Sequence, residues 1–292
     1  MTNRRTFLTQ AGLVSAGLMV APELLKAAGK NKVMGLQLYS LRDQIKPDVK
    51  GVIAKVAAAG YKEVEPFGYS KAEGFWGLNA QDFSKLLKDN GLSTPSGHFE
   101  FDSFLGAGKT DELESYIEAA NITGMEYVIV PHLNDAYIKT VSDFNNIADK
   151  LNTAGELCKK AGLKLGYHNH NFEWKPVDGT TFYDTILAKT DPTLVSMEMD
   201  LYWVVRTGQD PTAIIKAHPG RFFAFHIKDM DKTNHEKNTE VGNGTIDFKS
   251  IIGYAKLGGI KHFIVEQENY TDIDPYVSIT KSCAYVKSIL NG

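Results

Sequence analysis

The sequence predicts an α/β fold, a (β/α)8 TIM barrel in a single domain. Three observations predict it. From about residue 33 onward, short apolar runs alternate with amphipathic stretches. Eight such units in roughly 260 residues suit a closed barrel better than an open sheet. Strict alternation of strand and helix also implies parallel pairing through right-handed crossovers. No Gly-x-Gly-x-x-Gly follows any strand, so a dinucleotide-binding sheet lacks its fingerprint.

The elements follow in order. Residues 33–41 (VMGLQLYSL) form the first strand-like run, with a helix near 49–59 behind it. Residues 63–69 are the second run, followed by a helix near 80–90 that Gly91 stops by adopting a left-handed conformation. Residues 93–99 are the third, with a helix from about 110. Residues 127–133 (YVIVPHL) are the fourth, and the long helix after them ends near Gly162. Residues 164–170 (KLGYHNH), 195–201 (VSMEMDL), 222–229 (FFAFHIKD) and 262–268 (HFIVEQE) complete the strands. A last helix covers about 274–290. The polar stretch 231–244 reads as a long loop after the seventh strand, where barrel enzymes keep function.

Composition narrows the function. With 43% hydrophobic and 23% charged residues, the chain is not collagen, coiled coil, disordered or polytopic membrane protein. Its 32 Lys and Arg against 35 Asp and Glu leave no basic excess for a phosphate backbone, so no nucleic-acid partner is expected. Cys158 and Cys283 lack metal-type spacing and read as buried free thiols, with one disulfide as the alternative.

Residues 1–29 read as an export signal, leaving 30–292 to the barrel. Arg4 and Arg5 precede an apolar run from Ala11 to Ala21, and Ala27, Ala28 and Gly29 follow. The arginine pair with Thr6, Phe7 and Leu8 resembles a twin-arginine signal. The run is short for a permanent span, and no cysteine follows it to take a lipid. A periplasmic protein with a cleaved signal and no stable membrane anchor is expected. An amphipathic first helix is the alternative.

The C-terminal ends of barrel strands face the active site. Here they carry His168 and His170, Glu198 and Asp200, His226 and Lys228, and Glu266 and Glu268. Residues two apart share a strand face, and ionisable groups in a dry interior need partners. Imidazoles and carboxylates converging from four successive strands form a divalent-metal site, suited to Mn, Co, Zn or Fe rather than Ca. A single strand-end histidine is more often a structural hydrogen-bonding group. Glu65, His98 and His132 end strands two, three and four, where each contacts a sugar hydroxyl or satisfies a neighbour. Gln37 and Tyr39 share a face and close the pocket floor. Glu198 lies deeper than Asp200, in a hydrogen-bonding role. Trp76, Trp174 and Trp203 follow strands two, five and six, where they stack on sugars or pack in the core.

Short strings in order along one barrel carry a resemblance: GLQLYSLRD at Gly35, GYKEVEPFGY at Gly60, SGHFEF at Ser96, YHNHNFEW at Tyr167, MEMDLYWV at Met197, FHIKDMD at Phe225 and IVEQE at Ile264. From about residue 33 to its end the chain resembles the xylose isomerase-like TIM-barrel superfamily, in its sugar phosphate isomerase/epimerase branch, with inosose dehydratase-like features on strand five. The resemblance implies one divalent metal held by Asp200, His226 and Glu266, with His168 where the ketose epimerases carry a glutamate. It implies a small carbohydrate substrate, and family members often associate into homo-oligomers. Trp203 stands where those epimerases carry a substrate-holding histidine, which suggests a larger substrate such as a glycoside.

The implied chemistry is proton abstraction next to a carbonyl, through an enediolate that the metal stabilises. Glu266 is the expected base, Glu268 a lesser candidate and substrate contact, and His170, Lys228 or His98 the acid. Return of the proton gives a sugar isomerase or epimerase, the leading expectation. Loss of a β-oxygen gives a dehydratase or lyase on a keto-sugar, keto-glycoside or inosose. An exported sugar-binding barrel without catalysis is the lesser alternative, and a multi-metal endonuclease is opposed by the acidic charge. Export and the lack of a glycine-rich phosphate cradle point away from phosphorylated sugars.

Overall fold

The computed structural model describes residues 32–291. The expected export signal lies outside the described residues. Eight parallel strands form one sheet: β1 Met34–Gln37, β2 Glu63–Glu65, β3 Ser96–His98, β4 Tyr127–Val130, β5 Lys164–His168, β6 Val195–Asp200, β7 Phe222–Ile227 and β8 His262–Val265. Their order is β2-β1-β8-β7-β6-β5-β4-β3. The two ends of that order meet. Val64 N donates to Ser93 O, His98 N donates to Pro66 O, and Glu63 bridges Ser93 in parallel. The sheet is thus a nearly closed TIM barrel, as predicted.

Helices fill the crossovers at Val49–Ala58, Ala80–Asp89, Asp111–Thr123, Val141–Lys160 and Phe182–Lys189, and the last helix is Pro275–Asn291. Their starts are local chemistry. Asp48, Asn79 and Thr181 each accept a backbone N–H in the first turn, and Thr140 with Asp143 forms a reciprocal capping box. Gly91, at φ +66°, terminates its helix as expected.

A small cluster of Tyr127, Ile129, Phe223, Ala224 and Ile264 joins β4 to β7 and β8. β4 neighbours neither β7 nor β8 in the sheet, so the side chains meet across the barrel interior. Tyr127 and Phe223 stack with ring centroids 3.8 Å apart. Gly166 makes room for this layer, since a Cβ there would lie 2.3 Å from Ile129 Cδ1. Two residues beyond Ala224 and Ile264, on the same faces, come His226 and Glu266. The dry floor therefore ends where the polar layer begins.

Several predicted strands overshoot. Ladders stop at Gln37, His168, Ile227 and Val265. Of the four same-face pairs, Glu198 with Asp200 lies within one strand; His170, Lys228, Glu266 and Glu268 lie beyond the strands. Strand one shows why. The Gln37 side chain accepts from Tyr39 N and starts a 3-10 turn over Leu38–Leu41. This corrects the placement of Gln37 and Tyr39 on the pocket floor: Gln37 is buried, while Tyr39 is 40% exposed at the rim.

The polar segment after β7 is held by one carboxylate. Asp229 accepts from the backbone nitrogens of Met230, Gly242, Gly244 and Ile246. Within it, Asp229–Met230 pairs antiparallel with Asn238–Thr239. Both cysteines are free and buried. No described helix is long and apolar enough to cross a membrane.

Candidate metal centre and cleft

The strand ends bring ten predicted residues together, in two tiers bridged by two imidazoles. In the deep tier, Glu198 Oε2 accepts from His98 Nε2 (2.9 Å) and His168 Nδ1 (3.1 Å), and lies 3.2 Å from His226 Nε2. Glu65 Oε1 lies 2.8 Å from His226 Nε2 and 3.1 Å from His98 Nε2. Gln37 Nε2 donates to that same oxygen, and Ser96 Oγ donates to Glu65 Oε2. In the upper tier, His226 Nδ1 is 3.0 Å from Glu266 Oε2, and His168 Nε2 is 3.8 Å from Asp200 Oδ2. Lys228 Nζ completes this tier, 2.8 Å from Glu266 Oε2, 3.1 Å from Asp200 Oδ2 and 2.6 Å from Glu268 Oε1.

His168 and His226 thus each turn one nitrogen to a deep carboxylate and the other to the upper tier. Metal-ligating histidines are typically oriented this way, because the outer carboxylate fixes tautomer and ring plane. His168, Asp200, His226 and Glu266 each offer a donor atom within 4.8 Å of the others. Neighbouring donors in an octahedral shell with bonds of about 2.1 Å lie roughly 3 Å apart, as His226 Nδ1 and Glu266 Oε2 do. Asp200 Oδ2 is buried without a hydrogen bond, since Lys228 approaches it off the bonding direction. An orphaned carboxylate oxygen among imidazoles is what a cation would satisfy. The donor set fits a divalent ion.

In the ion-free protein the cluster supplies positive charges of its own. Burial lowers the His98 imidazole, but Glu65 and Glu198 outweigh it and raise its pKa to about 9. His226 is likewise raised by Glu198 and Glu65 despite burial. His168 and His170 are pushed well down by burial and by the cations around them, so both are neutral. Burial lifts Asp200 to about 6, against the pull of Lys228. Burial also raises Glu266, but the Lys228 ammonium and His226 hold it below the usual carboxylate range. Glu65, Glu198, Asp200 and Glu266 bring four carboxylates into the buried interior, where His98, His226 and Lys228 face them, and an ion held by His226 would have to displace that imidazole's extra proton.

A cleft of about 320 Å³ opens over the upper tier, lined among others by Tyr39, Phe67, Glu100, His132, His170, Trp203, Glu266 and Glu268. Its volume suits a small ligand. Glu65 lies below the cleft rather than in it, with its oxygens on His226, His98, Gln37 and Ser96. That is the place of a group that satisfies its neighbours, the alternative open to it at the end of strand two. His98 reaches both the cleft and the deep tier. His132 packs edge-on to His170 and Phe172. Trp203 tilts over His170 with a buried, unpartnered Nε1. Trp76 packs on Phe67 and Phe83, and Trp174 on Tyr183. Sequence reasoning missed Phe67 and Glu100 on the cleft wall. Both sit just past strand ends, a position that signalled the others.

Glu198 was expected in a deep hydrogen-bonding role, and its contact with three imidazoles gives that role content. Glu198→Gln is expected to weaken ion binding about 10–100-fold, as losses of such outer carboxylates do. Mn2+ titration calorimetry checks this, and an unchanged Kd would mean that the imidazoles orient without it.

Residues 53–289 match the xylose isomerase-like TIM barrel family. The chain belongs to that family. A crystal structure of a sugar phosphate isomerase/epimerase from Parabacteroides distasonis ATCC 8503 superposes with a TM-score of 0.76 at 30% identity, covering 89% of this chain and 95% of that one. Inosose dehydratase of Clostridium perfringens (strain 13 / Type A) is 27% identical over 274 residues, 82% of this chain and 89% of the relative. Inosose dehydratase of Geobacillus thermodenitrificans (strain NG80-2) is 27% identical over 166 residues. That match takes in 51% of this chain and spans 55% of the relative's length.

Proposed function

We propose that the chain is a divalent-metal-dependent carbohydrate enzyme that removes the proton next to a carbonyl and then expels a β-oxygen. That makes it a dehydratase or lyase on a keto-sugar, keto-glycoside or inosose. The observation that carries the reading is one-sidedness. Glu266 lines the cleft with the Lys228 ammonium 2.8 Å from its Oε2. Strand five offers no second carboxylate base, only His168, whose nitrogens face Glu198 and Asp200. Epimerisation needs a base on each face of the substrate; elimination needs one base and one acid. The dehydratase relatives are in keeping with this.

His168, Asp200, His226 and Glu266 would hold the ion, which when bound polarises the substrate carbonyl. Glu266 takes the proton through Oε1, since Oε2 is engaged by His226 and Lys228. Lys228, buried and charged, keeps Glu266 ionised and is steadied by Glu268, while His98, a cleft-lining imidazole raised to about 9, protonates the departing oxygen. His170 is neutral and so contacts substrate rather than acting as the acid, which alters its expected role. His98, His132 and Trp203 hold the sugar from the cleft walls.

A second reading, isomerase or epimerase, has one observation in its favour: His170 Nδ1 is buried, unpartnered and beside the cleft, placed to serve as the other base. Incubation of Mn2+-loaded protein with keto-sugars, keto-glycosides and inososes in heavy water separates the two. Elimination gives an unsaturated product with ultraviolet absorbance. A deuterated isomer without unsaturation would overturn elimination, and no exchange on any substrate would leave the sugar-binding barrel.

We also propose that the enzyme is exported by the twin-arginine route. Arg4→Lys with Arg5→Lys is expected to shift it from the periplasmic to the cytoplasmic fraction. Unchanged fractionation of the variant would rule that route out.

A further inference from the structure

We propose that Lys228 is a tethered cation that competes with the divalent ion for Asp200 and Glu266 and so sets how tightly the ion is held. This rests on the ion-site reading above and concerns a different property, affinity rather than reaction.

The geometry is specific. The upper-tier oxygens closest to the two imidazoles are Asp200 Oδ2 and Glu266 Oε2. Those same two atoms are the ones Lys228 Nζ touches, at 3.1 and 2.8 Å. The Lys228 side chain is 0% exposed, so water does not screen its charge. With no ion bound, the ammonium neutralises carboxylates that otherwise repel one another in a dry interior. An arriving ion meets a positive charge at contact distance from its own ligands, and it must displace or tolerate that charge.

The ammonium has somewhere to go. Glu268 Oε1 is 2.6 Å from Nζ, on a side chain that is 29% exposed at the cleft. The rings of Trp203 and Tyr202 lie 5.5 and 6.0 Å from Nζ, where aromatic faces favour a cation. Glu268 is outside the four-donor cluster. Its part is to draw Lys228 off the ligands when the ion arrives.

The two residues therefore have opposite effects on affinity. Full-length protein stripped with chelator is titrated with Mn2+ alone by calorimetry, and its melting is followed with chelator present. Lys228→Met is expected to tighten the Mn2+ Kd by about tenfold or more, the scale of a contact charge removed from a buried site. It is also expected to lower the chelated melting temperature. Glu268→Gln is expected to loosen Kd by about tenfold, and to have no effect on top of Lys228→Met, because its action runs through the lysine.

An unchanged or weaker Kd in Lys228→Met overturns the proposal. So does a Glu268→Gln effect that persists in the double variant, since Glu268 would then act on the ion directly. Should Lys228→Met fail to fold, Glu268→Gln with unaltered Kd overturns it alone. Uptake with equal Kd in every protein ends this proposal and keeps the ion site; no uptake in any ends both.

Discussion

Asp200→Ala with His226→Ala is expected to empty the metal centre, from about one Mn, Co, Zn or Fe per wild-type chain to near none by elemental mass spectrometry. Asp200 supplies the buried oxygen that lacks a hydrogen bond, and His226 supplies Nδ1 facing Glu266. An ion that binds only the folded state adds about 2.7 kcal/mol at a hundred times its Kd. Mn2+ should therefore raise the melting temperature of the wild type and leave that of the variant unmoved. Both substitutions also cost stability without metal. Asp200 Oδ1 accepts from Trp203 N and caps the helix Leu201–Arg206, a contact worth about 1 kcal/mol. His226→Ala takes a donor from Glu65 and Glu198. Asp200→Asn with His226→Gln retains much of that bonding capacity and should lose metal too. A folded variant with undiminished metal would show that the ion lies elsewhere.

The barrel was legible because its signal is periodic. Buried parallel strands need continuous apolar runs, and covering helices need amphipathic ones. The ligand candidates were legible because the fold dictates where strand ends point, so a polar residue there stands out against an apolar run. What escaped depends on contacts across the barrel. His98 lies 100 residues before Glu198, and no spacing in the sequence announces that one oxygen serves three imidazoles. Glu65 stayed open between cleft and support because strand parity gives its face and not its depth. Tyr39 was misplaced because a side-chain cap ends β1 early, and a one-residue turn decision moves a side chain from floor to rim. Lys228 was recognised as a functional group, but its seat between two ligands is set by the loop after β7. That loop hangs on Asp229 bonds to residues up to 17 positions away.

Glu266→Gln is expected to lower kcat by about 10²–10⁴ while KM changes little, because the amide fills the same space and cannot accept the substrate proton. Glu266 is held below the usual carboxylate range, against the upward push of burial, by Lys228 and then His226. Its proton affinity is low in the ion-free protein, so it remains ionised as pH falls through the normal carboxylate range. Protonation of Glu266 should therefore not produce an acid limb near pH 4.5. The variant must be assayed at saturating Mn2+, because Glu266 is also a candidate ligand and its loss weakens the ion. If turnover and deuterium exchange return once Mn2+ saturates, Glu266 is a ligand and another group takes the proton. Glu268 is the next carboxylate in the cleft, and Glu268→Gln under the same conditions decides between them. Abolished exchange in Glu268→Gln, with exchange intact in Glu266→Gln, moves the base to Glu268. Exchange lost only in Glu266→Gln keeps binding and proton removal on one residue. That economy suits a site where strand five offers no second carboxylate base.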